Sequence, residues 1–247
     1  MTRGRFINYA HRGASSYAPE NTFASFYLGL SLGANGIETD IQTTKDGVFV
    51  LHHDDTLSRI CSIDKAVSEL TLKELRELDF GSFFSTDFLN ERIVTLEDFL
   101  TYFSGKSVTF ALEIKQEGSE YEVYEFCKKY LSPKQYFITS FSFEAVMNLA
   151  SLDEPPHLGF LSTCFSLEII DKLIHAGVEQ YCPYAPSLTE TDMDYLRAKG
   201  FNIRAWGIEN DEIMRYAYNL GVDGMTVNFP DKLNELMLRE PRPDNLH

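Results

Sequence analysis

The stretch that decides the fold is residues 157–227, HLGFLSTCFSLEIIDKLIHAGVEQYCPYAPSLTETDMDYLRAKGFNIRAWGIENDEIMRYAYNLGVDGMTV. Short apolar runs at 157–161, 179–183, 202–206 and 224–227 alternate here with amphipathic stretches at 167–176, 190–199 and 211–220. Strands that alternate with helices in this way are typical of βα units and a parallel sheet. The helical stretches end at Gly177, Gly200 and Gly221, and glycine tolerates the left-handed conformation that ends a helix.

The same alternation runs outward from this stretch to both ends of the chain. Four more strands are predicted at 6–10, 36–41, 108–114 and 136–140, and five more helices at 22–33, 96–103, 120–131, 143–150 and 232–239. Eight strands, each followed by a helix, predict an α/β fold, the (β/α)8 TIM barrel. A doubly wound open sheet is the rival, but no GxGxxG motif follows the first strand.

The length of 247 residues fits a single barrel domain over 1–247. Residues 42–94 break the rhythm, because they are too many for one crossover between strands. Within them we expect a turn at 44–47, a returning strand at 48–51, and a helix at 70–78 capped at Thr71. We interpret 42–94 as an insertion after the second strand.

The charge balance, 22 basic against 37 acidic side chains and a formal net charge of −15, opposes binding to nucleic acid. We find no run of 18 apolar residues and no signal-peptide core at the N-terminus, so we expect no stable membrane insertion and a cytoplasmic location. The four cysteines form no CxxC pair and are expected to be small core residues in a reducing compartment. The acidic balance is compatible with a carboxylate site for a divalent metal.

The hairpin that begins the insertion carries the first candidate site. Glu38 and Asp40 lie two residues apart, so they share one face of the second strand. With Asp46 and Gly47 as a two-residue turn, Asp40 should face His53, while His52 points the other way. A surface ladder of polar pairs is the alternative interpretation of this hairpin.

The third predicted strand ends in Glu113 and Lys115, which also share a face. Active sites of barrels lie at the carboxyl ends of the strands, where Glu113 could join Glu38 and Asp40. Three carboxylates suit Mg²⁺ or Ca²⁺. A salt bridge from Glu113 or Lys115 to a neighbouring loop is the plainer alternative.

His11 and Arg12 follow the first strand at the same end of the barrel. Glu20 could be a ligand or could brace the loop, and Asn21 or Thr22 could cap the first helix. Two histidines beside a metal site and an Arg/Lys pair suit the cleavage of a phosphate ester, because cations neutralise the phosphoryl oxygens while the imidazoles move protons. We therefore hypothesise a phosphodiesterase.

At this point an ordered set of motifs resembles the glycerophosphodiester phosphodiesterase family. The motifs are His11-Arg12-Gly13, Pro19-Glu20-Asn21-Thr22, Glu38-Thr39-Asp40, Thr44-Lys45-Asp46-Gly47, His53-Asp54 with Leu57 and Arg59, Thr95-Leu96-Glu97, Glu113-Ile114-Lys115, Ser140-Phe141, Trp206, Gly221-Val222-Asp223-Gly224 and Asn228-Phe229-Pro230. They cover nearly the whole chain. The chain departs from the family at Gly207-Ile208-Glu209, at Asn228 where Asp is common, and at Ile60-Cys61. These departures concern substrate preference and the bracing of the pocket.

The resemblance implies a TIM barrel that hydrolyses glycerophosphodiesters, small molecules, to glycerol 3-phosphate and an alcohol with the help of a divalent metal. It makes His11 and His53 the acid/base pair and Glu38, Asp40 and Glu113 the metal ligands. Arg12 and Lys115 would contact the phosphate, and Trp206 would offer an apolar wall to the glycerol part. It also favours attack by the neighbouring 2-hydroxyl through a cyclic phosphate, although water remains open as the nucleophile.

Two other functions remain open at this stage. One is a phospholipase-type barrel that acts on lysophospholipid or sphingomyelin, and the other is a non-catalytic barrel that binds glycerophosphodiesters. The head group, the metal, the roles of the two histidines and the oligomeric state are left open by the sequence.

Overall fold

The computed structural model describes residues 5–241, so the first residues of the N-terminus considered above lie outside it. Nine strands form one sheet, and eight of them are parallel and close into a barrel because β1 pairs with both β2 and β9. The strands are β1 (Ile7–His11), β2 (Gly36–Thr43), β3 (Phe49–Leu51), β4 (Thr109–Ile114), β5 (Tyr136–Ser140), β6 (Leu158–Ser162), β7 (Gln180–Pro183), β8 (Asn202–Ile208) and β9 (Gly224–Val227). The predicted (β/α)8 barrel is confirmed.

The described residues form ten α-helices, all of them predicted except α2, and α2 and α3 lie within 42–94. They are α1 (Phe23–Ser31), α2 (Ser58–Cys61), α3 (Leu72–Leu75), α4 (Leu96–Phe103), α5 (Glu120–Cys127), α6 (Phe143–Ala150), α7 (Leu167–His175), α8 (Glu190–Ala198), α9 (Asp211–Leu220) and α10 (Pro230–Arg239). Gly177, Gly200 and Gly221 have φ of 74°, 86° and 81°, which confirms the left-handed helix ends. Thr22 is the N-cap of α1, because its side chain accepts from Ser25 N.

The core lies between the barrel strands and the surrounding helices. Phe26, Phe99 and Phe103 on α1 and α4 pack together at ring-centroid distances of 4.8–5.9 Å, and all three are fully buried. Such packing of apolar helix faces on the strands fixes the frame on which the strand ends are held. Of the four cysteines, Cys127 and Cys182 are buried, but Cys164 is exposed, so the prediction of a core position is wrong for Cys164.

The predicted register of the β2–β3 hairpin is wrong by one residue. Thr43 pairs with Phe49, and His52 N donates to Asp40 O at 3.1 Å, so Asp40 is opposite His52 instead of His53. The reason is a loop of three residues, closed by the bond from Thr44 to Val48, in which Gly47 has φ of 79°. His53 lies beyond the end of β3, so the loop that follows β3, and not the alternation of side chains along the strand, sets the direction of the His53 side chain.

Within residues 42–94, apolar side chains form a small buried cluster that is separate from the main core. Its buried members are Val50, Leu57, Ile60, Val67, Leu70, Leu75, Phe80 and Ile93. Thr71 caps α3 as predicted, but the helix is a single turn that ends at Leu75, well before residue 78. Beyond it Leu78 N donates to Leu75 O, and the Asp79 carboxylate accepts from Gly81 N and Ser82 N, so the chain continues as turns. That 42–94 is an insertion in its own right stays a prediction.

Within residues 5–241, none of the helices has the length and apolar character that crossing a membrane requires.

Candidate active site

The carboxyl ends of β1, β2 and β4 lie side by side and hold the candidate site. His11 at the end of β1 is in register with Glu38 of β2, and Asp40 of β2 is in register with Glu113 of β4. Because these strands are parallel neighbours, the side chains that follow the same alternation converge at one end of the barrel. Sequence reasoning found this convergence from strand order alone.

Glu38, Asp40 and Glu113 form a cluster that fits a hard cation. Each offers a carboxylate oxygen within 4.8 Å of the others, and the three residues are 3%, 0% and 6% exposed. Glu38 Oε2 and Asp40 Oδ1 are buried without a hydrogen-bond partner. Buried carboxylate oxygens without hydrogen-bond partners are costly, so the cluster is suited to a cationic ligand. Oxygen ligands of this kind suit Mg²⁺ or Ca²⁺.

Burial and mutual repulsion raise the pKa values of two of the three acids, and neighbouring cations lower that of the third. Burial, followed by repulsion from Asp40, raises the pKa of Glu38 well above its ordinary value and also raises that of Glu113. Burial alone would raise the pKa of Asp40 as well, but Arg12 and Lys115 lower it to about 2. Without a cation, Asp40 thus ionises most readily of the three, and a bound cation would favour ionisation of the other two.

Asp40 is held by three neighbours. Asn21 Nδ2 donates to its Oδ2 at 3.1 Å, Arg12 Nε lies 3.1 Å from the same oxygen, and Lys115 Nζ lies 3.7 Å from Oδ1. Asn21 is itself fixed by Thr39, whose hydroxyl donates to Asn21 Oδ1 at 2.7 Å. Asn21 was considered only as a helix cap, but Thr22 takes that role and Asn21 orients Asp40.

His11 contacts the cluster through one ring nitrogen and Asn228 through the other. Nδ1 donates to Asn228 Oδ1 at 2.6 Å, which leaves Nε2 3.8 Å from Glu38 Oε2. Burial and the positive charge of Arg12 lower the pKa of His11 to about 3. At neutral pH the imidazole is therefore neutral, with Nε2 directed toward the acids and able to accept a proton.

His53 is oriented by the residue that follows it. Its Nδ1 donates to Asp54 Oδ1 at 2.7 Å, and the positive charge of the ring would lower the pKa of Asp40 and Glu113. Arg59 and His53 hold the pKa of Asp54 far below its usual range although partial burial opposes this, so Asp54 is a carboxylate. The other ring nitrogen of His53, Nε2, remains for chemistry.

The two predicted phosphate contacts are paired with acids in this structure. Arg12 Nη1 donates to Glu20 Oε1 at 2.9 Å, and Lys115 Nζ donates to Glu113 Oε1 at 2.7 Å. The Lys115 pair is a salt bridge between two residues at the end of β4, and it differs from the bridge to a neighbouring loop considered as the plainer alternative. Glu20 acts as a brace, because it also accepts two hydrogen bonds from Arg59 at 2.8 Å each.

Trp206 belongs to an aromatic group further around the barrel. Its ring lies 5.1 Å from that of Phe141 and 4.9 Å from that of Tyr184, measured between centroids. Its Nε1 donates to Cys182 O at 3.1 Å and lies 3.3 Å from Ser162 O. Backbone carbonyls thus occupy the polar atom of the indole, and its ring can offer only an apolar surface. The role of Trp206 toward glycerol stays a prediction, as do the roles of the other predicted site residues.

Sequence reasoning gave Asn228 only a general part in lining or bracing the pocket and gave Arg59 no role, although both belong to quoted motifs. Asn228 contacts a residue 217 positions away, and Arg59 contacts Glu20 over 39 positions. Spacing carries no information about such contacts. The available signal was the position of Asn228 directly after a predicted strand, at the end of the barrel that holds the site.

Comparison with known proteins gives a consistent result over almost the whole chain. The model of the glycerophosphoryl diester phosphodiesterase family matches residues 11–232. A glycerophosphodiester phosphodiesterase of Caldanaerobacter subterraneus subsp. tengcongensis is 30% identical over 233 residues, which are 92% of this chain and 96% of the relative. A glycerophosphodiester phosphodiesterase of Bacillus subtilis is 27% identical and aligns over 96% of this chain and 88% of its own length.

A solved structure agrees with these sequence relationships. A phosphodiesterase of Oleispira antarctica, in complex with the product sn-glycerol-3-phosphate, superposes with a TM-score of 0.86 at 27% identity. The match covers 94% of this chain and 96% of that one. From the barrel, the carboxylate cluster with its two histidines and these matches, it follows that the chain belongs to the glycerophosphoryl diester phosphodiesterase family.

Proposed function

We propose that the chain performs the reaction of its family at the buried carboxylate cluster, namely the hydrolysis of a glycerophosphodiester to glycerol 3-phosphate and an alcohol. The family match over residues 11–232 and the curated phosphodiesterases among its relatives support this activity. The product held by the Oleispira antarctica phosphodiesterase belongs to the same chemistry. The chain is therefore an enzyme, a phosphodiesterase.

The observation that carries the proposal is the cluster of Glu38, Asp40 and Glu113, with oxygens within 4.8 Å of one another and two of them buried without a partner. These three side chains would hold Mg²⁺ or Ca²⁺. A bound divalent cation supplies positive charge that polarises a phosphoryl oxygen. Arg12 and Lys115 lie beside the same carboxylates and would bind the remaining phosphoryl oxygens, with Arg12 offering a planar fork.

The two histidines divide the proton transfers between them. His11 is neutral at working pH, so its Nε2 accepts the proton of the attacking oxygen. His53 donates a proton to the leaving alkoxide, and the Asp54 carboxylate keeps its ring in place through Nδ1. The attacking oxygen is the substrate's own 2-hydroxyl or a water molecule, and the hydroxyl is favoured because an intramolecular nucleophile needs no second molecule to be ordered.

The primary experiment measures release of glycerol 3-phosphate from glycerophosphocholine, with EDTA and then with Mg²⁺ or Ca²⁺ added back. We expect activity that EDTA abolishes and one of the cations restores, and no activity in His11→Ala or Glu38→Ala. His175→Ala, which alters an exposed histidine of α7, is the matched control and should retain full activity. Activity only on micellar lysophospholipid would instead favour a phospholipase, and binding without turnover would favour a non-catalytic barrel.

A comparison of two substrates with different leaving groups distinguishes the roles of the two histidines. A p-nitrophenyl ester of glycerol phosphate releases a stable anion and needs no general acid. His53→Ala should therefore keep much of its activity on this ester while it loses activity on glycerophosphocholine, whereas His11→Ala should lose both. Detection of a cyclic glycerophosphate during turnover would support attack by the 2-hydroxyl.

A further inference from the structure

Arg59 lies at the centre of a chain of ion pairs that joins two proposed reacting groups. Its Nη1 and Nη2 each donate to Glu20 at 2.8 Å, and its Nε and Nη2 donate to Asp54 at 2.7 and 3.1 Å. Glu20 also binds Arg12 Nη1 at 2.9 Å, and Asp54 also binds His53 Nδ1 at 2.7 Å. The contacts thus run in one line from Arg12 to His53 with Arg59 in the middle.

The geometry of this pairing differs from an ordinary surface ion pair. All three nitrogens of the guanidinium are used, and each of the two carboxylates receives two hydrogen bonds from it. A planar fork that is satisfied on both sides holds its partners in one orientation, whereas a single exposed pair contributes little. Glu20 keeps only 11% of its side-chain surface, which makes the contact less open to screening by water.

The segment of residues 42–94 holds Arg59 in place. Arg59 stands in α2, next to Ile60, which is buried in the apolar cluster of that segment. The guanidinium carbon lies 5.9 Å from the centroid of the Phe83 ring, also within 42–94. Arg12 and Glu20, in contrast, lie in the loop that follows β1 of the barrel. Arg59 therefore links the packing of 42–94, which also carries His53 and Asp54, to the loop after β1.

We propose that Arg59 is a positioning residue, which orients Arg12 through Glu20 and His53 through Asp54. The inference rests on the proposed function, since it takes Arg12 as a phosphate contact and His53 as the proton donor. It goes beyond that function by giving 42–94 a task in the reaction, which is to hold the two groups at a fixed separation. Lysine could not replace Arg59, because one ammonium cannot bind both carboxylates in this way.

The first test compares Arg59→Met with two variants, one that weakens the contact of Arg59 with Glu20 and one that weakens its contact with Asp54. Glu20→Gln should weaken the binding of sn-glycerol 3-phosphate, measured by calorimetry, and leave the dependence on the leaving group unchanged. Asp54→Asn should lower activity on glycerophosphocholine more than on the p-nitrophenyl ester. Arg59→Met should show both defects, with kcat/KM for glycerophosphocholine lower by about 10- to 100-fold. Arg76→Met, an exposed arginine of the same segment, is the matched control and should behave as the wild type.

The second test asks whether Arg59 acts through these two carboxylates. In the Glu20→Gln/Asp54→Asn background, Arg59→Met should lower kcat/KM by less than about threefold, because its partners are already impaired. An equal loss in both backgrounds would overturn the proposal and indicate direct contact with substrate. Arg59→Lys provides a second variant if Arg59→Met does not fold, and it should recover less than the full activity.

The measurement of affinity for sn-glycerol 3-phosphate does not depend on turnover. If the wild type released no glycerol 3-phosphate, the proposed function would fail, but its affinity for sn-glycerol 3-phosphate could still be compared with that of Arg59→Met. Unchanged affinity in Arg59→Met would overturn the orientation of Arg12 whatever the activity of the wild type. In an active enzyme, unchanged leaving-group dependence would overturn the orientation of His53.

Discussion

Nδ1 of His11 donates a hydrogen bond of 2.6 Å to Oδ1 of Asn228, across 217 positions of sequence. The contact fixes the neutral tautomer that carries its proton on Nδ1, so that Nε2 faces the acids. An amide orients the ring without adding the negative charge that would favour the imidazolium, and this keeps His11 neutral.

The first prediction concerns this pair. In Asn228→Asp, the added carboxylate should raise the pKa of His11 by about one unit or more. Because His11 must be unprotonated to accept a proton, the acidic limb of the kcat/KM profile should move to higher pH. Asn148→Asp, which alters an exposed residue of α6, is the control and should leave the profile in place. An unshifted limb in Asn228→Asp would contradict the role of His11 as the base.

The second prediction concerns metal binding and pH. Burial raises the pKa of Glu38 and Glu113, so these acids bind protons at higher pH than ordinary carboxyl groups, and a cation competes with those protons. Protons should therefore be released on binding, and the affinity for Mg²⁺ should fall as pH falls, by about tenfold per unit for each proton released. Calorimetry in two buffers with different ionisation enthalpies measures this release.

Glu38→Gln serves as the control for proton release. The amide carries no titrating proton, so the number of protons released on Mg²⁺ binding should fall by at least one. An Mg²⁺ affinity that does not vary between pH 5 and 8 in the wild type would contradict the assignment of these acids as ligands.

The third prediction concerns Arg204, a fully buried cation in the barrel. Its Nε and Nη1 donate to Gln180 Oε1 at 3.0 Å and Thr226 Oγ1 at 2.7 Å, and its guanidinium lies 5.4 Å from the Tyr9 ring centroid. Its charge also interacts with Glu38 and Glu113. Arg204→Met removes a positive charge that both stabilises the acids and repels a divalent cation.

Two opposite effects should follow from Arg204→Met. Without metal, the free energy of unfolding should fall by about 1–3 kcal/mol, because the buried Gln180 Oε1 and Thr226 Oγ1 each lose a hydrogen bond from Arg204. Affinity for Mg²⁺ should rise, because the repelling charge is gone. Urea unfolding in EDTA and calorimetry with Mg²⁺ measure the two effects, and Arg204→Lys should change the affinity less. Weaker Mg²⁺ binding in Arg204→Met would contradict the electrostatic argument.

Local patterns were enough to predict much of the fold. Helices α4, α6 and α9 and strands β5 and β9 have the predicted bounds, because their apolar periodicity and their caps agree with their packing. The helix predicted at 120–131 ends at Cys127, where turns replace it. The carboxylate cluster was predictable because strand alternation and the carboxyl-end rule of barrels both act over short distances in sequence.

The contacts that orient the site could not be predicted in the same way. The hairpin register depended on whether Gly47 closes a loop of two or three residues, and both are compatible with the sequence. The hydrogen bonds of Asn21 to Asp40 and of Asn228 to His11 depend on loop conformations that only the closed barrel determines. Strand patterns therefore specify which groups meet, and loop geometry specifies how they are oriented.

The last prediction concerns Gly13, which follows Arg12 in the loop after β1. Arg12 and Gly13 have φ of 56° and 86°, and a Cβ on Gly13 would lie 2.4 Å from the backbone carbonyl carbon of Ser25. Gly13→Ala therefore adds a strained backbone conformation to a clash with α1, and should lower the free energy of unfolding by about 2–5 kcal/mol. Gly177→Ala is the matched control, since Gly177 has φ of 74° but open space around it, and should cost about 1–2 kcal/mol. Urea unfolding compares the two.

Since Ser25 Oγ donates to Arg12 O at 2.7 Å, the clash should also displace Arg12 and weaken binding of sn-glycerol 3-phosphate in Gly13→Ala alone. Equal losses of stability in the two variants would show that backbone strain, and not the close approach of α1, accounts for the glycine.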